Sequence, residues 1–465
     1  MTQPSSAHAA KVIAVTVAAA VGGFLFGFDS SVINGAVDSI QGDFGLSSFV
    51  TGFAVAIALL GCAVGAWFAG RLADRWGRRR VMMLGSVLFV VSSIGSGLAV
   101  GVPDLMLWRV LGGLGIGIAS VIAPTYISEI APARYRGALA SLQQLAITLG
   151  IFAALLSDAI LQNAAGGASN ELWWNLEAWR WMFIVGVVPA VVYGVLALMI
   201  PESPRYLVGQ DLDEEAAEIL ANVTGELRPN ERVQEIKLTL RRESNASFGD
   251  IRGPVFGLQP LVWVGITMAI FQQFVGINAI FYYSTTLWKS VGFTENQSFT
   301  TSVITAVINV VMTFVAILFV DKLGRRPLLM TGSLGMFVSL LLAAIAFSQA
   351  TGSGDDIELP APWGALALVG ANVFVIFFAA TWGPIMWVML GEMFPNRMRA
   401  VALGISTAAN WIANFTVTLA FPPLTSTLGL WVLYGLFAFF ALLSFFFVKA
   451  RIPETKGMEL EEMHS

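Results

Sequence analysis

The sequence predicts an all-α integral membrane protein with twelve transmembrane helices in two similar halves. Of its 465 residues, 56% are hydrophobic and only 12% are charged, whereas an average soluble domain is about 45–50% apolar and about 25% charged. Apolar runs of about 20 residues, long enough to cross a bilayer as helices, recur twelve times. Sequence motifs that follow apolar runs in the first half of the chain recur after the corresponding runs in the second half. These three observations predict the fold class.

The predicted spans fall into two sets of six on either side of a polar stretch. The first set covers residues 12–34, 48–70, 80–100, 104–126, 139–161 and 180–200. The second set covers 259–287, 299–320, 328–348, 363–391, 399–421 and 428–448. We therefore divide the chain into an N-terminal half, 1–200, a cytoplasmic linker, 201–258, a C-terminal half, 259–448, and a cytoplasmic tail, 449–465. Short amphipathic helices are expected in the linker, around 215–223 and 232–240.

Composition also narrows the chemistry. The net charge of −4 does not suggest a nucleic-acid partner. The single cysteine, Cys62, lies in an apolar run, so an intrachain disulfide or a cysteine zinc site is not expected. Both histidines, His8 and His464, lie in polar tails. We expect no metal, no cofactor and no enzymatic activity. The first residues lack the features of a cleaved signal peptide, so the first run is expected to remain as a span.

The distribution of basic residues predicts the orientation. With a cytoplasmic N-terminus, all of the 26 Lys and Arg residues except Arg109, Arg180 and Lys289 lie on the cytoplasmic side. Short cytoplasmic loops are enriched in Lys and Arg. Both termini are therefore predicted to be cytoplasmic in a multi-pass protein of the inner (plasma) membrane.

The two halves repeat each other. The motif GRLADRWGRR at 70–79, after span 2, is echoed by VDKLGRR at 320–326, after span 8. Likewise YISEIAPARYRG at 126–137, after span 4, is echoed by GEMFPNRMRA at 391–400, after span 10. A parallel repeat of six-span halves is a transporter architecture, with the substrate site near the midplane between the halves.

These motifs resemble the major facilitator superfamily and, within it, the sugar porter family. The loop at 70–79 is general to the superfamily. More specific are PESPR at 201–205, FQQFVGINAIFYYS at 271–284, WGPIMW at 382–387 and PETKG at 453–457. The likeness is to bacterial proton-coupled xylose and glucose carriers, and more distantly to human facilitative glucose carriers. The resemblance implies the major facilitator fold and transport of a small neutral sugar by alternating access. Because both halves of the site come from one chain, we expect a functional monomer.

Charged residues at the predicted inner helix ends form a candidate conformational latch. They are Asp74, Arg78, Glu129 and Arg136 in the first half and Asp321, Arg325, Glu392 and Arg399 in the second. In the family such pairs hold the cytoplasmic helix ends together and break when the carrier opens inward. The alternative is ordinary positive-inside charge and helix capping, because an isolated exposed pair contributes only about 0–1 kcal/mol.

Asp29 is a carboxylate inside span 1, which costs roughly 2.5–3.5 kcal/mol and normally implies a partner or a function. Arg109 in span 4 lies at a similar depth, since each is about five residues from the outer end of its span. A buried carboxylate beside a guanidinium can hold a proton when the pair is separated and release it when the pair closes. The alternative is a permanent salt bridge. The resemblance favours coupling, since proton-coupled members carry an Asp here. A second acid, Asp158, is placed near the outer end of span 5, at the interface.

Amides are frequent in the spans, and an amide offers both donors and an acceptor to the hydroxyls of a sugar. Tying helices together is the alternative role for any one of them. The resemblance selects the substrate-binding candidates Phe24, Gln144, Gln272, Gln273, Asn278, Tyr282, Tyr283, Asn309, Trp387, Asn410 and Trp411. Asn410 stands where some close bacterial relatives carry a longer glutamine, which leaves room for a hexose. Helix breaks are expected at Gly276 in span 7 and at Gly383-Pro384 in span 10.

The predicted function is secondary active import of a monosaccharide, D-glucose first, with protons. The alternatives are a facilitative uniporter and a proton-coupled carrier of xylose, galactose or inositol. A non-transporting sensor is less favoured, because sensors of this fold have long cytoplasmic tails. A drug antiporter is also less favoured, because span 5 lacks the Gly-Pro motif of those proteins. The glycines between 112 and 117 are assigned to helix packing rather than to a phosphate loop.

Overall fold

The fold is helical along nearly its whole length. In the computed structural model the described residues are 6–130, 136–243, 251–351, 358–395 and 398–454. Through residue 199 the helices are α1 Ser6–Ser31, α2 Ile33–Phe44, α3 Ser48–Trp76, α4 Arg78–Gly97, α5 Val102–Ile130, α6 Arg136–Ala165, α7 Ala178–Val185 and α8 Val187–Met199. The linker contains α9 Pro204–Gly209, α10 Asp213–Ile219 and α11 Pro229–Glu243. The later helices are α12 Pro260–Phe274, α13 Ile277–Lys289, α14 Glu295–Leu323, α15 Arg325–Phe347, α16 Trp363–Ala380, α17 Trp382–Glu392, α18 Arg399–Leu428 and α19 Leu430–Arg451.

These helices account for the twelve predicted spans. Among the described residues, 11 segments are long and apolar enough to cross a membrane. The remaining predicted span, 399–421, lies within the 30-residue helix α18, which is long enough to cross but carries amides and hydroxyls such as Asn410, Asn414 and Thr418. The predicted all-α, twelve-helix class is confirmed.

Several spans consist of two helices joined by a break. Span 7 breaks at Gly276, as predicted, where the backbone takes a φ of +90° that favours glycine. Span 10 breaks at Thr381 (φ −133°, ψ −86°), two residues earlier than the predicted Gly383-Pro384. The difference follows from the chemistry of proline. Pro384 lacks an N–H and is tolerated in the first turn of α17, so the disruption falls before that turn.

The linker folds as a small helical cluster. Leu207 and Val208 of α9 pack with Ala216 of α10 and Val233 of α11 around a buried core. A short π-helical turn, Leu220–Thr224, follows α10. The two expected linker helices are therefore present, and α9 is an additional one.

Two short β-hairpins were not predicted. In the first, β1 Glu171–Trp173 pairs with β2 Leu176–Glu177. In the second, β3 Arg252–Gly253 pairs with β4 Gly257–Leu258. Hairpins this short leave no hydrophobic run of strand length in the sequence.

By their contacts the helices form two compact units. One contains Met1–Asp29, Leu60–Gly150 and Phe183–Ala246, and within it α4 packs against α5 and α8. The close approach uses small residues. A Cβ on Gly115 would lie 3.2 Å from the Gly85 carbonyl oxygen, and small residues at such contacts let helix backbones approach within a membrane.

The other unit contains Ser30–Leu59, Ile151–Met182 and Ser247–Ser465. Within it α15 packs against α16 and α19, and α12 packs against α18. These contacts bring Gly332 of α15 against the Thr381 hydroxyl at the break of span 10. The predicted division at residues 200 and 258 describes the sequence repeat and stays a prediction.

Candidate functional site

An ion pair joins α1 and α5 inside the first unit. Arg109 Nη1 lies 3.3 Å from Asp29 Oδ2 and also 3.3 Å from the Asp29 carbonyl oxygen. The two side chains are 8% or less exposed. Asp29 and Arg109, which the sequence predicts at similar depths, are therefore in direct contact.

An aromatic ring and a glycine lie beside this pair. The Arg109 guanidinium carbon lies 5.7 Å from the centroid of the Phe183 ring, a cation–π distance. Gly112, one turn along α5, allows a close approach, since a Cβ there would lie 2.5 Å from the Ser92 hydroxyl oxygen and 3.4 Å from Asp29 Oδ2. The glycines of this helix thus serve close packing, as predicted.

Asp158 of α6 is a second buried acid. Its side chain is 0% exposed and packs against Gly35 of α2, which Met182 of α7 also contacts. Its depth near the outer end of span 5 stays a prediction. Its Oδ2 accepts a hydrogen bond from the Gly35 N–H at 3.3 Å. Among the described residues no basic side chain pairs with it. Asp29 and Asp158 are therefore two buried carboxyls in different chemical settings.

The predicted amides of the second unit form one hydrogen-bonded cluster. Asn278 Nδ2 donates to Gln273 Oε1 at 2.6 Å, and Gln273 Nε2 donates to Asn410 Oδ1 at 3.2 Å. Asn410 Nδ2 in turn donates to Gln272 Oε1 at 2.8 Å. Four of the predicted binding residues thus share one network, which joins α12, α13 and α18.

The same cluster contacts the start of α17. Gln272 Nε2 donates to the carbonyl oxygens of Trp382 at 3.4 Å and Gly383 at 3.3 Å. These carbonyls lie beside the break at Thr381. The amide network therefore contacts the backbone beside the break in span 10 directly.

The predicted aromatic residues of this unit have different environments. Tyr282 accepts a hydrogen bond from Asn414 Nδ2 at 3.5 Å. Tyr283 is buried, donates to the Thr418 carbonyl oxygen at 2.9 Å and stacks on Phe421. Tyr283 is thus tied to α18 by its hydroxyl and its ring.

The other predicted residues of this unit differ in exposure. Asn309 on α14 and Trp411 on α18 are buried, whereas Trp387 on α17 is 37% exposed. Trp387 therefore offers an accessible aromatic face beside the amide cluster's helices.

The two predicted binding residues of the first unit are Phe24 and Gln144. Phe24 on α1 stacks with Phe28 at 6.3 Å between ring centroids. Gln144 on α6 is half-buried, whereas its neighbour Gln143 is buried against Gly23. Of the two adjacent glutamines, Gln144 keeps the more accessible amide.

The charged residues at the end of α4 form a compact network. Arg78 makes two hydrogen bonds to Glu129, from Nε at 3.0 Å and from Nη2 at 2.9 Å. Its Nη1 donates to Asp74 Oδ1 at 3.1 Å, and Glu129 also accepts from the Ser203 hydroxyl at 2.5 Å. The paired forks of Arg78 and Glu129 fix both side chains in direction as well as distance.

The second half repeats part of this network. Arg325 Nη2 donates to Glu392 Oε1 at 3.1 Å, as Arg78 does to Glu129. The side chains of Arg136, Asp321 and Arg399, also predicted for the latch, lie outside the part of the chain that the structure describes.

Residues 15–465 match the protein-family model described as Sugar (and other) transporter. The chain belongs to this transporter family. It is 51% identical over 460 residues to the glucose transport protein of Synechocystis sp., with 99% of this chain and 98% of that protein covered. It is 35% identical over 499 residues to the D-xylose–proton symporter of Escherichia coli, with 100% and 96% covered.

The structure is also similar to a solved one. The partially occluded inward-open conformation of the xylose transporter XylE from E. coli matches with a TM-score of 0.83 and 33% sequence identity, covering 97% of this chain and 100% of that one. The family and the major facilitator fold expected from the motifs are confirmed, and the chain is a transporter-family member rather than an enzyme.

Two acids of this transporter-family member were missed as site residues. Glu202 accepts hydrogen bonds from the backbone N–H groups of Arg78 at 2.9 Å and Arg79 at 3.2 Å. In the second half Glu454 does the same for Arg325 at 3.0 Å and Arg326 at 3.1 Å. Each acid thus caps the free N–H groups at the start of one helix.

The positions of these two capping acids in the sequence are related. Glu202 lies in PESPR and Glu454 in PETKG, and each motif follows the last span of its half. Gly77 and Gly324, with φ of +89° and +90°, precede the capped helices and turn the chain toward these acids. The repeat relation of the two motifs would have identified them.

The three basic residues that broke the inside bias all have acidic partners. Arg109 pairs with Asp29, Arg180 Nε lies 2.6 Å from Glu177, and Lys289 Nζ lies 3.1 Å from Asp38. These ion pairs explain why basic side chains are tolerated away from the predicted cytoplasmic side.

The Lys289 pair belongs to a larger contact that the sequence analysis missed. Asn34 of α2 donates to the Phe281 carbonyl oxygen at 2.7 Å and accepts from the Thr285 hydroxyl at 2.8 Å. Asp38 accepts from Thr286 at 2.6 Å as well as pairing with Lys289. Polar residues thus join α2 to α13, between the two halves of the repeat.

Proposed function

We propose that this protein imports a monosaccharide, with D-glucose as the first candidate substrate, together with protons by alternating access. The observation that carries the proposal is the buried Asp29–Arg109 pair, at 3.3 Å, in a member of a sugar transporter family. The similarity to the Synechocystis glucose transport protein supports glucose, and the similarity to the E. coli D-xylose–proton symporter supports proton coupling.

The pair supports coupling because its two states bind a proton differently. Beside Arg109 the carboxylate of Asp29 is stabilised by the cation and by a direct hydrogen bond. When the helices move and the pair opens, burial without the cation favours the neutral acid, so Asp29 takes up a proton. Closing the pair releases the proton. Asp29 and Arg109 are therefore the proposed coupling residues.

The amide cluster supports a neutral, hydroxyl-rich ligand. Each amide presents donors and an acceptor, so a sugar hydroxyl can replace one amide–amide bond without leaving a group unpaired. Aromatic faces such as Trp387 complement the apolar face of a sugar ring. The proposed sugar-binding residues are Phe24, Gln144, Gln272, Gln273, Asn278, Tyr282, Tyr283, Asn309, Trp387, Asn410 and Trp411.

The charged networks at α4 and α15 are proposed as the conformational latch. The fork between Arg78 and Glu129 and the pair of Arg325 with Glu392 tie helix ends within each half. Asp74, Arg136, Asp321 and Arg399 complete the proposed set. We further propose a functional monomer in the inner membrane bilayer, with both termini cytoplasmic and with halves 1–200 and 259–448 as the moving bodies.

The test is sugar-dependent proton movement in proteoliposomes or de-energised cells. Adding glucose outside should raise the external pH with the wild-type protein, because protons enter with the sugar. Asp29→Asn should abolish this alkalinisation and still exchange labelled glucose. Asp158→Asn is the matched control, since it removes another buried carboxyl that has no described cation, and it should keep coupling.

Two outcomes oppose the proposal. Downhill glucose transport by the wild type without proton movement would make the protein a uniporter and the Asp29–Arg109 pair structural. Retained alkalinisation in Asp29→Asn would assign coupling to another group.

A further inference from the structure

A groove in the second unit opens beside α15, α16 and α19. It has a volume of about 850 Å³ and is lined by apolar residues that include Leu334, Val338, Val373 and Phe377. Leu334 is 42% exposed and Val338 is 63% exposed, so the groove opens on the outer surface of the helices. In a membrane-spanning helix such a surface faces lipid.

The two hydroxyl-bearing residues of the groove wall donate their hydrogen bonds within their own helix. The Thr331 hydroxyl donates to the Pro327 carbonyl oxygen at 2.8 Å, and the Ser339 hydroxyl donates to that of Gly335 at 2.7 Å. The wall therefore behaves as an apolar surface. Its natural occupant in a bilayer is a hydrocarbon chain, because most of the lining is apolar and the two hydroxyls have no proton left to donate.

One end of the groove carries a cation, Arg326. Its Nη2 donates to the Lys449 carbonyl oxygen at 2.7 Å, and within the described residues no carboxylate pairs with its guanidinium. Its Nε is buried without a hydrogen-bond partner among those residues. Arg325, its neighbour, is instead paired with Glu392. Arg326 thus carries a positive charge at the groove's end that no described carboxylate neutralises.

We propose that this groove binds an anionic phospholipid, with the phosphate on Arg326 and an acyl chain along α15 between Leu334 and Phe377. An arginine fork matches the geometry of phosphate oxygens, and basic pockets at helix ends bind anionic headgroups. The ligand is a lipid rather than free phosphate, because the apolar groove continues directly from the cation.

The site lies next to the break of span 10. Gly335 of the groove packs against the Phe377 ring, and Trp382 Nε1 donates to the Leu329 carbonyl oxygen at 3.1 Å and to Ser333 at 3.0 Å. The groove wall is therefore continuous with the packing that holds α16 and α17. A bound lipid would fill the space beside Phe377 and favour the observed packing of these helices.

The experiment measures lipid retained by the purified full-length protein in native mass spectrometry, with phosphatidylglycerol and phosphatidylethanolamine of identical chains. The wild type should retain phosphatidylglycerol in preference. Arg326→Gln should weaken phosphatidylglycerol binding about tenfold or more, because a charge-assisted contact is lost. Arg228→Gln is the control, since it removes one exposed arginine charge from the linker.

A second pair of variants tests the groove itself. Val338→Trp should fill the groove and reduce retention, whereas Val311→Trp, at an exposed valine of α14 outside the groove, should not. Thermal unfolding gives an independent readout, because a ligand that binds the folded state raises the midpoint. Phosphatidylglycerol should raise it for the wild type and not for Arg326→Gln.

Three results overturn the proposal. Equal retention by the wild type and Arg326→Gln removes the role of the arginine. Equal retention of both lipids by the wild type removes headgroup recognition. Unchanged retention in Val338→Trp removes the groove. If Arg326→Gln does not purify as a folded protein, Arg326→Lys replaces it, since lysine keeps the charge without the fork and should give intermediate retention. None of these readouts depends on the transported substrate.

Discussion

At the residue scale, Asn410 links the amide cluster of the second unit. Its amide donates to Gln272 at 2.8 Å and to the Ala269 carbonyl oxygen at 3.1 Å, and it accepts from Gln273 at 3.2 Å. One side chain on α18 therefore orients two glutamines of α12. A short side chain suffices because α12 and α18 pack directly against each other.

Asn410→Ala is expected to weaken glucose binding about tenfold. The substitution leaves buried amide groups without partners, which costs about 1–3 kcal/mol, and it removes their orientation. Half-saturation in labelled-glucose exchange measures the effect. Asn372→Ala is the matched control, because Asn372 bonds to Thr305 and to its own helix and lies outside the cluster. An equal loss in both variants would indicate general destabilisation instead of a binding role.

The sequence predicts a contact between two residues where their depth in the membrane is enough to bring them together. Asp29 and Arg109 were matched by their distance from the ends of their spans, and helix rise is constant. For Asp158 the sequence does not indicate that the side chain is fully buried, because depth does not reveal which neighbours cover a side chain. The capping acids Glu202 and Glu454 were likewise missed, since their partners lie more than 120 residues away.

At the scale of elements, the break at Gly276 separates α12 from α13. The φ of +90° is one that residues with a Cβ rarely adopt, and the ring of Phe437 occupies the space where a Cβ would lie. Gln273 precedes the break and Asn278 follows it, and Asn278 Nδ2 donates to Gln273 Oε1 at 2.6 Å. Glycine here therefore determines the geometry of the proposed binding site as well as that of the helix.

Gly276→Ala is expected to destabilise the protein by about 1–2 kcal/mol or more and to reduce sugar exchange strongly. The left-handed backbone conformation is unfavourable for alanine, and the clash of its Cβ with the Phe437 ring adds to that cost. Gly404→Ala is the matched control, because an added Cβ in this exposed helical position meets nothing within 4 Å. That control should be neutral or stabilising by about 0.5–1 kcal/mol. Thermal unfolding and exchange assays on both variants check the expectation, and a Gly276→Ala protein with wild-type stability and rate would contradict it.

At the scale of the whole molecule, the distribution of basic residues predicts which loops face the cytoplasm. Val100, between α4 and α5, is 88% exposed and is predicted outside, whereas Leu227, in the linker, is 76% exposed and is predicted inside. Cys62 is fully buried and is the only cysteine of the chain. The two exposed positions therefore form a matched pair for labelling.

In a Cys62→Ala background, Val100→Cys should react with a membrane-impermeant maleimide in intact cells. Leu227→Cys should react only after the membrane is opened, because 23 of the 26 basic residues favour the linker's side as cytoplasmic. The reverse labelling pattern would invert the proposed orientation and place both termini outside.

The membrane class, the twelve spans, the motif repeat, the family and the Asp29–Arg109 pair follow from the amino-acid sequence alone. Span length, loop charge and motif order are properties of local sequence, so they can be read without coordinates. Three-dimensional packing was needed to show that Gln143 is the more buried of the two glutamines, that span 10 breaks at Thr381, and that Lys289 pairs with Asp38. The groove beside Arg326 is likewise visible only in the folded structure. The physical reason is that these spans are apolar on most faces, so their hydrophobicity does not show which face meets another helix. Contacts between distant segments then select the partner of each polar side chain.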